Sequence, residues 1–382
     1  MSINAIYLSF SGDSEFSGIS KKKMAQVKGL KECGCNVVNC YYSVNPRNGH
    51  RKWMVDDEVL IDLGTGAWAK VRKRIDYRPL LAYILENRVS FVYMRSDHNA
   101  NPFLIHFVKQ LKKKKVAVVM EIPTYPYDQE YITFESKCHL FIDKLFRGKL
   151  AKQLHAIVTF SGEEVIFGQR TIRISNGVDF SSLKLKEKKP TNGELHLIGV
   201  AEIHYWHGFD RVLAGMADYY KGEPNECNVF FHIVGEFSGE REKNEILPFI
   251  KGNRLENYVT LHGRLFGADL DSLFDKADMG VGSLGRHRSN ITHIKTLKNR
   301  EYAARGVPFF YSEIDEAFEH MAYILKIPAD ESPVDIKKVI DFYSRVEETP
   351  QEIRDSVKHL SWNNQMQIVL ANSTRQIKTD SL

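Results

Sequence analysis

The chain has 382 residues, 43% of them hydrophobic and 26% charged, with a formal net charge of +5. That composition excludes a disordered or fibrous chain and supplies enough apolar mass for two domains. The small positive excess suits an anionic small molecule or an anionic membrane surface, and it is too weak to argue for nucleic acid. The five cysteines, Cys33, Cys35, Cys40, Cys138 and Cys227, are odd in number and lack paired metal-ligand spacing. They read as small buried thiols in a reducing cytoplasm, not as a zinc site. No apolar run approaches the ~20 residues needed to span a bilayer, and residues 3–8 are too short and too uncharged in front for a secretory signal. A cytoplasmic location is expected.

Strand-length apolar runs alternate with helical periodicity along the whole chain. Strands are predicted at 3–10, 36–42, 91–95, 116–121, 155–160 and 171–175, with helices at 18–33, 102–114 and 135–154. The turn pair Asn176-Gly177 then interrupts the pattern, and the charged stretch 184–189 with Pro190, Asn192 and Gly193 reads as a linker. The second half repeats the theme, with strands at 196–200, 229–234, 258–263, 279–283 and 307–311. A final helix is predicted over 355–377, carrying Val357, Leu360, Trp362, Met366, Val369 and Leu370. This alternation predicts an α/β protein with parallel sheets covered on both faces, in two doubly wound domains. The expected division is 1–180, 181–350 and a C-terminal helical segment, 351–382, packing back on the first domain.

Four segments carry chemistry. The loop 9–20 follows the first strand, where open parallel sheets bind ligands; Gly18 stands at the helix start and Ser20 can cap it. It lacks the spaced glycines of a dinucleotide site, so NAD is not expected. The loop 201–211 gathers His204, Trp206, His207 and Gly208 ahead of an amphipathic helix that begins near Arg211, which suits a base plus diphosphate. The loop 282–290 is basic and glycine-containing, with Arg286, His287 and Arg288, and it leads through His293 into a short helix. That helix begins at Leu297 and Lys298, where unpaired amides favour a phosphate, and Glu301 one turn later can accept from a ribose hydroxyl. Gly306 ends it and Val307-Pro308-Phe309 enters a buried strand. A solvated helix with intrahelical ion pairs is the competing reading of this last segment.

Ser175-Asn176-Gly177-Val178-Asp179, Trp206-His207-Gly208, Ala277-Asp278, and the run from Leu297 through Glu301 and Tyr302 to Gly306-Val307-Pro308 resemble the retaining glycosyltransferases of family 4. Ser17-Gly18-Ile19-Ser20 is similar to that family's glycine-rich first loop, so the resemblance covers nearly the whole chain. It implies a GT-B fold, two Rossmann-like domains facing a cleft, with a nucleotide sugar held mainly by the second and an acceptor by the first. It also implies that Glu301 is the second glutamate of a paired motif and holds the ribose. The first glutamate, eight residues earlier, is replaced by His293. The family's arginine falls at Ala201 or Glu202 and its diphosphate lysine at His207; Arg211, Arg288 or Lys298 would compensate, with Gly18 and the turn at Leu297 and Lys298 as amide donors. A family histidine falls near Glu121, making Glu121 and His293 the catalytic candidates.

The expected activity is therefore retaining transfer of a sugar, UDP-linked, to a glycan or lipid-linked glycan in polysaccharide biosynthesis. No cofactor or metal is expected, since no Asp-x-Asp pair sits in a site-like loop. A nucleotide-sugar 2-epimerase and a non-catalytic sugar-nucleotide-binding protein are the rival readings. The basic amphipathic helix 135–154 and the run Lys112 to Lys115 either cover a sheet and end a helix or lie on an anionic membrane at its inner face.

Overall fold

The computed structural model describes residues 2–12, 18–128, 131, 133–187, 193–222 and 227–379, with side chains described as far as 373. Of the expected first loop and linker, residues 13–17 and 188–192 lie outside that set. Two compact units form: Met1–Ser175 together with Trp362–Leu382, and Asn176–Ser361.

The first unit contains β1 (Asn4–Ser9), α1 (Gly18–Glu32), β2 (Asn36–Val44), β3 (Arg51–Val55), β4 (Glu58–Gly64), α2 (Gly66–Ile75) and α3 (Arg78–Glu86). There follow β5 (Phe91–Arg95), α4 (Pro102–Lys113), β6 (Ala117–Ile122), α5 (Phe134–Ala151), β7 (Ala156–Thr159), β8 (Val165–Ile166) and β9 (Gln169–Arg173). The nine strands lie in the order β4-β3-β2-β1-β5-β6-β7-β9-β8. Pairing is parallel from β2 through β9 and antiparallel only at the edges. The edge pair β3–β4 escaped the sequence reading because its register slips twice, at Arg51/Lys52 and Trp53/Met54, which scrambles a period-two pattern. The central strands are apolar on both faces: Ile6, Leu8 and Met94 enter one core, while Tyr7, Tyr93 and Val119 enter the other.

The second unit runs β10 (Glu194–Val200), α6 (Phe209–Lys221), β11 (Asn228–Val234), α7 (Glu240–Gly252), β12 (Val259–Leu261) and α8 (Gly267–Lys276). It continues with β13 (Met279–Val281), α9 (Leu297–Ala304), β14 (Phe309–Tyr311), β15 (Ile324–Lys326), α10 (Ile336–Tyr343) and α11 (Pro350–Ser356). Its six strands are parallel, in the order β12-β11-β10-β13-β14-β15. Strand order reverses between β10 and β13, and beyond their carboxyl ends a sheet of this kind opens a ligand crevice. The Tyr302 hydroxyl fixes α9 against that point, donating to the Val281 carbonyl at 3.0 Å and accepting from the Val200 amide at 3.2 Å. Gly280 allows the approach, since a Cβ there would stand 2.5 Å from the Tyr302 ring.

The helix expected over 355–377 is divided. A 3-10 turn, Lys358–Leu360, separates α11 from α12 (Trp362–Thr379). Its apolar stripe serves two cores: Val357 and Leu360 pack in the second unit, whereas Trp362, Met366, Val369 and Leu370 pack in the first. One straight helix cannot present side chains to two separate cores, so the chain breaks between them. Among the described residues no helix is long and apolar enough to cross a membrane.

Candidate functional site

Three loops leave the carboxyl ends of β10, β13 and β14 in the second unit, and they meet around Lys298. The first rises from β10 through a short 3-10 turn, Tyr205–His207, to Gly208, whose φ of 69° favours glycine. A Cβ at Gly208 would lie 2.7 Å from the Leu284 Cβ, so this loop sits directly on the second one. The Leu284 amide donates to the His207 carbonyl at 3.1 Å and closes that contact.

Lys298 stands in the first turn of α9, with its Nζ 2.9 Å from His207 Nδ1 and 5.4 Å from the centre of the Phe209 ring. Part of the side chain reaches the surface, yet the ammonium is surrounded by protein. Burial and then the Arg286 charge draw its pKa down to about 7, against a smaller opposing pull from Glu313. Burial, with the neighbouring charges of Lys298 and Arg286, holds the His207 pKa well below its usual value. A hydrogen bond from the ring to the Glu202 carbonyl opposes this only weakly. His207 is therefore a neutral imidazole that accepts from Lys298 and aims it.

The third loop supplies Glu313, which lies two residues beyond β14 and is fully buried. Its Oε1 accepts from the Arg286 amide at 2.5 Å and the His287 amide at 3.2 Å, while Oε2 has no hydrogen-bond partner. Ser283 Oγ, Thr296 Oγ1 and Asn299 Oδ1 are buried without partners in the same neighbourhood, and Thr296 makes no cap bond to α9. Buried polar atoms left unmatched carry a cost of order 1–3 kcal/mol each, which a bound polar molecule would relieve. Arg286 places its guanidinium 5.5 Å from the Trp206 ring, and Trp206 stacks on His204 at 4.0 Å. The cluster thus joins a cation, α9 amides, unmatched hydroxyls and an aromatic shelf. It suits an anionic ligand with a planar group.

The remaining expected residues fall as follows. Arg211 is buried, with Nε on the Ser332 carbonyl at 2.8 Å and its other nitrogens on the carbonyls of Leu284 and Pro328. It ties three loops together. Arg288 is held by Asp210 at 2.7 Å and Glu331 at 2.6 Å, with Nη1 also on the Tyr205 carbonyl. Two carboxylates thus hold Arg288, while backbone carbonyls hold Arg211. Leu297 is exposed at the start of α9. Glu301 is half-buried, and its Oε1 accepts from Arg305 Nε at 2.9 Å. His293 is exposed in a bridge to Ile314, beside Glu313, with Nδ1 3.0 Å from Thr292 Oγ1.

Gly18 and Glu121 lie in the first unit. Gly18 opens α1, and a Cβ there would meet nothing within 4 Å; because the helix begins at Gly18, Ser20 sits inside its first turn and does not cap it. Glu121 is the penultimate residue of β6 and has no exposed surface. Lys22 approaches one of its oxygens at 3.4 Å and Arg95 bonds the same oxygen, while Tyr93 at 2.6 Å and Gln26 at 2.5 Å donate to the other. Burial pushes the Glu121 pKa up, but those two cations and two donors outweigh it and hold the group below its usual value. Both oxygens of Glu121 are thus engaged by side chains of the first unit, an arrangement that organises the domain interior. Glu313 was missed, although the polar pair Ser312-Glu313 just past an apolar parallel strand was a usable signal.

Among the described residues no group of three His, Cys, Asp or Glu side chains is disposed to hold a metal ion. No family model and no curated protein matches the chain. Solved structures do. A glycosyltransferase from Rickettsia africae is similar over 98% of this chain and 99% of its own, at 12% identity and a TM-score of 0.61. Anabaena HepE in complex with UDP matches all of both chains at 15% identity and a TM-score of 0.57. The catalytic domain of starch synthase IV from Arabidopsis thaliana, bound to ADP and acarbose, matches 99% of this chain and all of its own at 11% identity and a TM-score of 0.65. These likenesses, with the strand orders above, establish the architecture: two doubly wound, Rossmann-like α/β domains of the GT-B type.

Proposed function

We propose that the chain is a glycosyltransferase that moves a sugar from a nucleotide diphosphate sugar, UDP-linked, to a glycan or lipid-linked glycan. The observation that carries this reading is the enclosed Lys298 ammonium, aimed by neutral His207 beside the amides of α9 at the point where strand order reverses. Glycosyl transfer needs exactly such stabilisation as the diphosphate departs with growing negative charge. The bond from the anomeric carbon to the diphosphate breaks and a bond to the acceptor hydroxyl oxygen forms. The hydroxyl proton passes to the leaving diphosphate, on the same face, so configuration is retained. Lys298 and the α9 amides balance the charge, and no metal is required. Glu301, with Oε2 beyond its bond to Arg305, accepts from the ribose.

Incubation with labelled nucleotide sugars tests the reading. Label transferred to an acceptor supports it, an epimer formed without acceptor makes the chain an isomerase, and binding without turnover makes it a receptor. Glu301→Ala should weaken UDP binding roughly tenfold with the fold intact, in line with one hydrogen bond to a charged acceptor. Unchanged affinity by calorimetry removes the ribose assignment. Turnover should also survive EDTA; loss in chelator with rescue by magnesium would overturn the metal-free step.

A further inference from the structure

The outer face of α5 is apolar where a solvated helix should be polar. Phe134, Phe141 and Leu145 are 84%, 63% and 54% exposed, and with Cys138 they recur at i, i+4, i+7 and i+11, forming one stripe. The inner face is separately satisfied, because Leu140 and Leu150 enter the core and Asp143 accepts from the Ala100 amide at 3.0 Å and Tyr127 at 2.6 Å. The outer stripe therefore has no part in holding the domain together. Lys137 and Lys144 flank it on one side, and Lys149 and Lys152 continue it toward the helix end.

Next to the stripe, α4 and α5 enclose a groove of about 320 Å³ lined by Pro102, Ile105, Lys109, Phe146, Lys149 and Lys152. Residues 102–115 contain no acidic side chain, and the only exposed acid of α5 is Glu135. The groove is apolar at its floor and cationic at its rim. Beside it Phe103 is 51% exposed at the start of α4.

We propose that this face of the first domain docks on an anionic bilayer surface, with Phe134, Phe141 and Leu145 entering the acyl boundary and Lys109, Lys149 and Lys152 meeting lipid phosphates. Charge decides the occupant. A second copy of this chain would bring the same lysines against each other, and a neutral apolar partner would leave them unmatched. A lipid headgroup layer matches both the apolar stripe and the cationic rim. The stripe and groove belong to the first unit and Lys298 to the second, so this inference rests on different residues from the proposed transfer reaction and is tested independently of it.

Sedimentation with vesicles tests it, using phosphatidylcholine alone and phosphatidylcholine mixed equally with phosphatidylglycerol. The protein should partition onto the mixed vesicles and not the neutral ones, and added salt should release it. Lys149→Glu with Lys152→Glu should lower the partition coefficient about tenfold or more. Phe141→Asp with Leu145→Asp should abolish binding while UDP affinity and melting temperature stay unchanged, which a folding defect would not allow. No sedimentation, or equal binding to both vesicle types, overturns the proposal. So does concentration-dependent dimerisation in analytical ultracentrifugation that the Phe141→Asp, Leu145→Asp variant removes.

Discussion

Lys298→Ala should leave the fold intact and weaken UDP binding by roughly 10- to 100-fold, the range of one buried charge-assisted contact. Calorimetry at pH 7 measures it, and Lys298→Arg should retain part of the affinity. The pH dependence makes the test sharper. With its pKa near 7 in the free protein, Lys298 is about half protonated at neutrality, and a bound diphosphate would hold the proton on. Binding should take up a proton near pH 8, visible as a heat that varies with the buffer's ionisation enthalpy. Affinity should fall about tenfold per pH unit above 7 until the bound-state pKa is reached. Stability runs the other way: between about pH 7 and the ordinary lysine value the unfolded chain holds the extra proton, so the ligand-free protein gains stability as pH rises. Affinity flat from pH 7 to 9, together with a silent Lys298→Ala, would remove the diphosphate from this place.

Glu121→Gln should destabilise the first domain by ~3–5 kcal/mol, because it preserves shape while stranding buried Lys22 and Arg95 without their counter-charge. Lys22 already has its pKa lowered to about 8, first by burial and then by Arg95, against the pull of Glu121. Its ammonium lies 3.7 Å from the Phe160 ring. Urea unfolding followed by tryptophan fluorescence reads the loss, and adding Lys22→Met should recover part of it. A Glu121→Gln variant as stable as the parent but dead in turnover would return this carboxylate to catalysis.

The two carboxylates show why the site was only half legible. Glu121 lies near the carboxyl end of a buried parallel strand and Glu313 just beyond one, where sequence position alone marks them as candidates. What separates them is partners from elsewhere in the chain: Lys22, Gln26, Tyr93 and Arg95 exhaust Glu121, while Glu313 keeps one oxygen unmatched. The outward stripe of α5 behaved likewise, since periodicity revealed an amphipathic helix but not that both of its faces carry apolar residues with one left uncovered.

By itself the sequence determined the alternation of strands and helices, and hence the parallel sheets, because period-two and near-period-four patterns are local properties of the chain. It also placed the candidate loops at the strand ends and the start of α9 at Leu297. Only the tertiary structure decided which cation is available. Arg211 meets the carbonyls of Leu284, Pro328 and Ser332, and Arg288 meets Asp210 and Glu331, across more than forty residues in every case. Lys298 is left beside His207. Charge neutralisation depends on distance in space, and spacing along a chain does not encode it.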